Sequence, residues 1–145
     1  ILLVAAFLPA PYRIQLPPDA SAFVLFAAAL LLGLLLVVAI SMFLYISVFV
    51  TMSPTGSMIV FGLIGEFLAG LTIPVPYMPS WLQQIVYALP FRWTADFPFR
   101  VYSGNIPHDE ALIGLAVQVV WLLSLTLLGR WLLGRTMRKV VVQGG

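Results

Sequence analysis

Residues 22–50 read AFVLFAAALLLGLLLVVAISMFLYISVFV, a run of 29 residues without a charged side chain. This run belongs to a longer uncharged stretch of 46 residues that lies between Asp19 and Glu66. A helix needs about 20 apolar residues to cross about 30 Å of hydrocarbon. The stretch between the two carboxylates is therefore long enough for two membrane spans.

The sequence TMSPTGS at residues 51–57 divides this stretch in two. Pro54 and Gly56 interrupt a helix, and the hydroxyl side chains around them favour a turn. We therefore predict spans over residues 22–50 and 55–73. The first would be roughly 43 Å long at 1.5 Å per residue, so it must tilt or emerge from the bilayer.

A further span is predicted near each end of the chain. Residues 111–133 form an apolar run that is uncharged up to Gly129. The first eight residues, ILLVAAFL, are also apolar and are closed by Pro9. Because the chain starts at Ile1 within this run, we interpret residues 1–8 as the end of a span. Residues 1–145 are then expected to be the C-terminal portion of one transmembrane domain.

The composition excludes most other classes of protein. Apolar residues make up 62% of the chain and charged residues 8%, against roughly 45–50% and 25% in soluble domains. This apolar content excludes disorder, and the absence of cysteine excludes disulfide scaffolds and cysteine-based metal sites. No basic face suited to nucleic acid is visible. The predicted fold is all-α, with several membrane-spanning helices.

The distribution of basic residues predicts the orientation. Arg130, Arg135, Arg138 and Lys139 follow the last span closely, and such clusters favour the cytoplasmic side. We therefore expect a multi-pass protein of a cell membrane, the bacterial inner membrane, with a cytoplasmic C-terminus. The basic cluster would anchor this end at the anionic lipid surface.

The segment at residues 74–110, on the outer side in this topology, is too apolar for a free loop. It holds eight aromatic residues, and aromatics with one polar end concentrate at membrane interfaces. Prolines cut it into short pieces, and we predict two interfacial or re-entrant half-helices, at about 80–89 and 94–102. The residues expected to matter in them are Trp81, Pro90, Phe91, Trp93 and Asp96.

Nothing in the sequence is typical of a catalytic centre. A phosphate-binding loop of the GxxxxGK[ST] type is absent, and no lysine precedes Lys139. His108, beside Asp109 and Glu110, lacks the two-ligand spacing of a metal site and is expected to cap the next helix. We predict no catalytic residues, no metal and no cofactor in this chain.

Glu66 is the one ionisable residue deep in a predicted span. Such residues are functional candidates because their burial is costly, although Glu66 could instead pair with Arg92 or Arg100 or face a helix interface. Small residues at a helix surface let helices approach closely, and a mid-span amide can form hydrogen bonds between helices. For helix packing we therefore select Gly62, Gly65, Gly70 and Gln118.

Several motifs together resemble the permeases of type-2 ATP-binding-cassette (ABC) exporters. These are GLTIPVPYMPSWL at 70–82, ALPF at 88–91 and YSG at 102–104. The ending, with QVVWL at 118–122 and RKVVVQGG at 138–145, is similar to that of the subgroup related to daunorubicin-resistance permeases. The resemblance covers residues 58–145 well and the preceding part only in general character.

The resemblance implies a six-span permease subunit that pairs with a second permease subunit, identical or different, and docks separate ATP-binding subunits. ATP and its magnesium would bind those partners, and this chain would move its cargo by alternating access. The cytoplasmic coupling helix of the family has no counterpart in these residues. The cargo path would be lined by apolar and aromatic side chains that suit an amphipathic or lipid-like molecule, together with Glu66: Met42, Phe43, Tyr45, Phe49, Phe61 and Phe67.

Two other functions stay open on the sequence. A membrane-embedded enzyme that modifies lipids would need clustered Asp, His or Lys residues near an interface, and Asp96 with Arg100 falls short of that. A non-transporting membrane scaffold subunit is equally compatible with the composition.

Overall fold

The computed structural model describes residues 19–141, with side chains as far as Arg138. This part of the chain is helical and contains no strand, which confirms the predicted all-α class. The span end predicted at residues 1–8 lies outside the described residues. The side chain of Lys139 lies outside them as well.

Helix α1, Ala20–Thr51, covers the span predicted at residues 22–50. Asp19 caps its start by accepting a hydrogen bond from the Ala22 amide at 2.6 Å. The helix ends at Met52, which adopts a left-handed conformation with φ of 54°. The predicted break at residues 51–57 is thus a sharp turn at Met52 and Ser53.

Helix α2, Pro54–Leu68, is shorter than the span predicted at 55–73. The apolar pattern continues to Ile73, but Gly70 takes a φ of +78° and ends the helix. At 1.5 Å per residue, the 15 residues of α2 extend about 22 Å, less than the roughly 30 Å of hydrocarbon. Helix α2 alone is therefore too short to cross a bilayer.

The segment between α2 and the last helix consists of short pieces. A 3₁₀ turn at Val75–Tyr77 precedes helix α3, Ser80–Ala88, and a second 3₁₀ turn at Phe91–Thr94 precedes helix α4, Asp96–Tyr102. The predicted half-helix at 94–102 is therefore divided at Ala95. Pro79 occupies the cap position of α3, and Ser80 is the first residue of the helix.

Helix α5, His108–Val141, extends beyond the predicted 111–133 at both ends. It lies parallel to α1, since His108 contacts Ser21 near the start of α1, Gln118 contacts Ala29, and Gly129 faces Met42. Both helices are long and apolar enough to cross a membrane.

The buried faces of α1 and α5 consist mainly of small residues, most of them spaced three, four or seven residues apart, which puts them on one helical face. Such residues let two helices approach closely. Many large apolar side chains of α1 and α5 are exposed. The buried residues are Ala22, Ala29, Gly33, Leu36, Ala39 and Ile46 in α1, and Ala111, Gly114, Gln118 and Gly129 in α5.

Candidate functional site

A cavity of about 340 Å³ lies between the second half of α1 and α2. Its walls are mostly apolar, and Phe61 of α2 and Phe91, in the 3₁₀ turn before α4, add aromatic surface. Glu66 is the only ionisable side chain among the lining residues. Pockets of this size and composition suit small, largely apolar ligands.

The hydroxyl and carboxyl groups that line the cavity can mainly accept hydrogen bonds from a ligand. The Ser41 hydroxyl donates to the Val37 carbonyl at 2.8 Å, and the Thr94 hydroxyl donates to the Phe91 carbonyl at 2.6 Å. The Glu66 carboxyl has no hydrogen bond or ion pair to any other described residue. The cavity can therefore hold an apolar body that carries a hydrogen-bond donor.

The residues predicted to line a path are only partly brought together. Phe61 and Glu66 share the cavity with Gly62 and Gly65. Phe67 lies in a separate groove of α2 with Leu63, Ile64, Leu68 and Thr72. Tyr45 and Phe49 are exposed and line neither.

Arg92, one of the two basic residues considered as a partner of Glu66, is engaged elsewhere. Its guanidinium lies 3.6 Å from the Asp96 carboxylate and packs over the rings of Tyr87 and Trp93, at 4.3 and 4.9 Å from their centres. The side chains of Arg92 and Asp96 are only 12% and 6% exposed. Burial raises the pKa of Asp96, and the neighbouring guanidinium opposes that rise.

Residues 91–102, which we call the outer segment after the side predicted for them, pack against both α1 and α5. Phe97 is buried in a cluster with Ala29, Val101 and Ala111, and Trp93 packs against the Phe97 ring at 5.0 Å between centres. Of the other outer residues singled out from the sequence, Pro90 is buried and Trp81, on α3, is exposed.

The glycines selected for helix packing have different surroundings. A side-chain carbon added at Gly62 or Gly65 would meet nothing within 4 Å, and Gly70 forms the turn after α2. The close contacts lie instead at Gly33, Gly114 and Gly129, which the sequence analysis did not select. The signal that marks this face is the spacing of three or four residues that separates Gly33 from Ala29 and Gly114 from Ala111 and Gln118, whereas Gly129 follows Gln118 by eleven residues, about three helical turns.

The N-terminal ends of α1 and α5 are joined by a polar cluster that was also missed. The Ser21 hydroxyl donates to Asp19 at 2.6 Å and lies 2.7 Å from His108 Nε2. With Ser21 donating to Asp19, His108 Nε2 can donate to the Ser21 oxygen, and the cluster joins the two helices. The Ser21 hydrogen bond, followed by that from the Ala22 amide, lowers the pKa of Asp19 from 3.8 to about 2.

The other end of α5 carries the basic residues. Arg130, Arg135 and Arg138 are exposed, and the Arg135 guanidinium lies 5.7 Å from the centre of the Trp131 ring. Within the described residues, no group of three or more His, Asp or Glu side chains could hold a metal ion.

Comparison of the chain with family models, with curated proteins and with solved structures finds no match in any of the three.

Proposed function

We propose that this chain is a membrane-spanning permease subunit of an ABC exporter. In this proposal a separate subunit binds ATP and magnesium and hydrolyses the ATP, and a second permease subunit, identical or different, completes the path. The motifs at residues 70–82 and 88–91 support the family, and two apolar helices long enough to cross a bilayer support the membrane location.

The observation that carries the proposal is the cavity between α1 and α2. It offers an apolar surface with a single carboxyl group, Glu66, beside two apolar spans. An amphipathic or lipid-like cargo has the matching character. The chain carries out no covalent chemistry, because it only has to expose this surface alternately to the two sides of the membrane.

The membrane topology is part of the same proposal. Helices α1 and α5 are complete spans, and α2 together with the turn that follows it, as far as Ile73, is a third. Residues 74–110 lie on the outer side and enter the bilayer as re-entrant half-helices. The basic end of α5 contacts the anionic lipid of the cytoplasmic face.

Co-purification tests the function. A tagged full-length protein should bring down a stoichiometric ATP-binding subunit, and liposomes that contain the complex should show vanadate-sensitive ATP turnover. A purified protein with neither property would contradict export and favour the scaffold function.

Cysteine labelling tests the topology, because the chain has no native cysteine. Asn105 is exposed in the turn between α4 and α5, so Asn105→Cys should react with an impermeant thiol reagent from outside the cell. Reaction only from the cytoplasmic side would overturn the proposed orientation.

A further inference from the structure

One side chain joins three parts of the molecule. Gln118, the eleventh residue of α5, is fully buried, with 0% of its surface exposed. Its amide nitrogen donates to the Ala29 carbonyl of α1 at 2.9 Å and to the Trp93 carbonyl of the outer segment at 2.8 Å. Since both partners are carbonyl oxygens, both amide hydrogens are used.

Gly33 of α1 lies close to the backbone of the same turn, at Trp93 and Thr94. A side-chain carbon built at Gly33 would lie 2.7 Å from the Thr94 carbonyl oxygen and 3.3 Å from that of Trp93. Two consecutive carbonyls of the outer segment are therefore fitted against α1 at Gly33 and α5 at Gln118. Gly33 lies about 20 Å along α1, at 1.5 Å per residue.

The contacts continue in register toward the outer ends of the helices. Phe97 packs against Gly114, and Val101 lies in the same buried cluster as Ala111. The Tyr102 ring meets Phe26 edge-on, with 4.9 Å between the ring centres. Residues 91–102 are thus attached along their whole length and not at a single hinge.

The boundary of this assembly with α2 is different in kind. The cavity separates the second half of α1 from α2, and the α2 glycines that face the cavity have open space around them. Among the described residues, one side-chain hydrogen bond crosses from α1 to α2, between Thr51 and Ser57 at 3.2 Å, beside the turn that joins them.

We propose that Gln118 is a positioning residue that makes α1, α5 and residues 91–102 one moving body. The outer segment then is not a lid that swings away from the spans. The cargo path opens at the boundary between this body and α2. The place where the path opens rests on the proposed function, whereas the single body does not.

Hydrogen exchange of the full-length protein in lipid nanodiscs tests the single body. The amides of residues 91–102 should open together with those of residues 22–36. In Gln118→Met, which keeps the side-chain length and removes both donors, residues 91–102 should exchange on the order of tenfold faster. Residues 54–68 should be unaffected.

The matched control is Gln84→Met, because Gln84 is exposed on α3. Equal exchange in the two variants would overturn the role of Gln118. Wild-type protein in which residues 91–102 open far more readily than residues 22–36 would overturn the single body, and that measurement does not need the variant to fold.

Thiol tethers in the cysteine-free chain test where the path opens. A tether between Ala29→Cys and Phe97→Cys, both in the buried cluster, should leave ATP-driven transport unchanged. A tether between Ser41→Cys and Gly62→Cys, across the cavity, should abolish it, and the reverse pattern would contradict the inference. Absence of transport in the untethered proteins as well would contradict the proposed function, and the exchange result would still decide the single body.

Discussion

The N-terminal half of the α1–α5 pair and the cavity beside α2 contain the same kinds of residue in opposite settings. Each has glycines within helices and one carboxylate, and the Asp96 side chain is 6% exposed whereas Glu66 is exposed. In the N-terminal half the glycines are in close contact with Phe97 and with the carbonyls of residues 93 and 94, and Asp96 is paired with Arg92. Beside the cavity the glycines have open space, and Glu66 has no partner among the described residues.

This difference shows that the residue type alone does not tell whether a position in a membrane helix has a packing role or a functional role. A glycine lets two segments approach, or it leaves room for something that is not part of the chain. A carboxylate that pairs with a buried cation is structural, and an unpaired carboxylate in a membrane-spanning helix is a functional candidate. The tests below change the same residue type in both regions.

The two carboxylates provide the largest contrast. Asp96→Ala leaves the Arg92 guanidinium, only 12% exposed, without its counter-charge, and we expect a loss of about 3 kcal/mol in unfolding free energy. Glu66→Ala should cost nothing measurable, because it breaks no bond within the described chain. Reversible unfolding in mixed micelles measures both.

The double variant Arg92→Met, Asp96→Ala is the control, since replacing both partners of a buried pair by apolar groups is often close to neutral. It should recover most of the lost stability. Equal losses for Asp96→Ala and Glu66→Ala would remove the distinction between the two regions.

The glycines give the next largest effect. Gly33→Ala places a methyl group 2.7 Å from the Thr94 carbonyl oxygen, and we expect it to cost about 1–3 kcal/mol through overpacking. Gly62→Ala meets no neighbour and should stabilise α2 by up to about 1 kcal/mol through helix propensity. Thermal unfolding of the two variants should therefore shift in opposite directions, and a shared shift would contradict the contrast.

The general architecture was predictable because it depends on hydrophobicity over long windows. The uncharged run at 22–50 predicted α1 to within two residues at its start and one at its end. The break after Thr51 was predictable because Pro54 and Gly56 act locally. The end of α2 was not, since the apolar pattern runs on to Ile73 while the backbone turns at Gly70.

The packing partners were less predictable, because they depend on which faces meet. Gly62, Gly65 and Ala69 form a small-residue face in the sequence, as do Ala29 and Gly33. Only the fold selects the second face for contact, by packing residues 91–102 against both α1 and α5. Gln118 was expected to bond across helices. Its second acceptor, the Trp93 carbonyl, was not foreseen, because it too depends on how residues 91–102 pack.

Transport measurements test the role of Glu66 beside the cavity. Glu66→Gln keeps the shape of the side chain and removes its charge, so the unfolding temperature should not change. If Glu66 lies in the path, export by the reconstituted complex should slow several-fold, equivalent to about 1 kcal/mol. Glu110→Gln, at an exposed carboxylate of α5, is the control, and equal rates for Glu66→Gln and wild type would assign Glu66 a packing role only.

The smallest effect is expected at the N-terminal ends of α1 and α5, where Asp19 is exposed and its interactions are screened by solvent. The pKa of Asp19 is lowered to about 2, so its stabilising contribution is complete above the unfolded value of 3.8. That contribution is lost as the pH falls toward the native pKa. Asp19→Asn keeps a good helix cap without a titrating group. The unfolding temperature of the wild type should therefore fall more steeply than that of Asp19→Asn as the pH is lowered from about 4 to about 2. Parallel profiles would show that the Ser21 and Ala22 hydrogen bonds do not favour the ionised carboxylate.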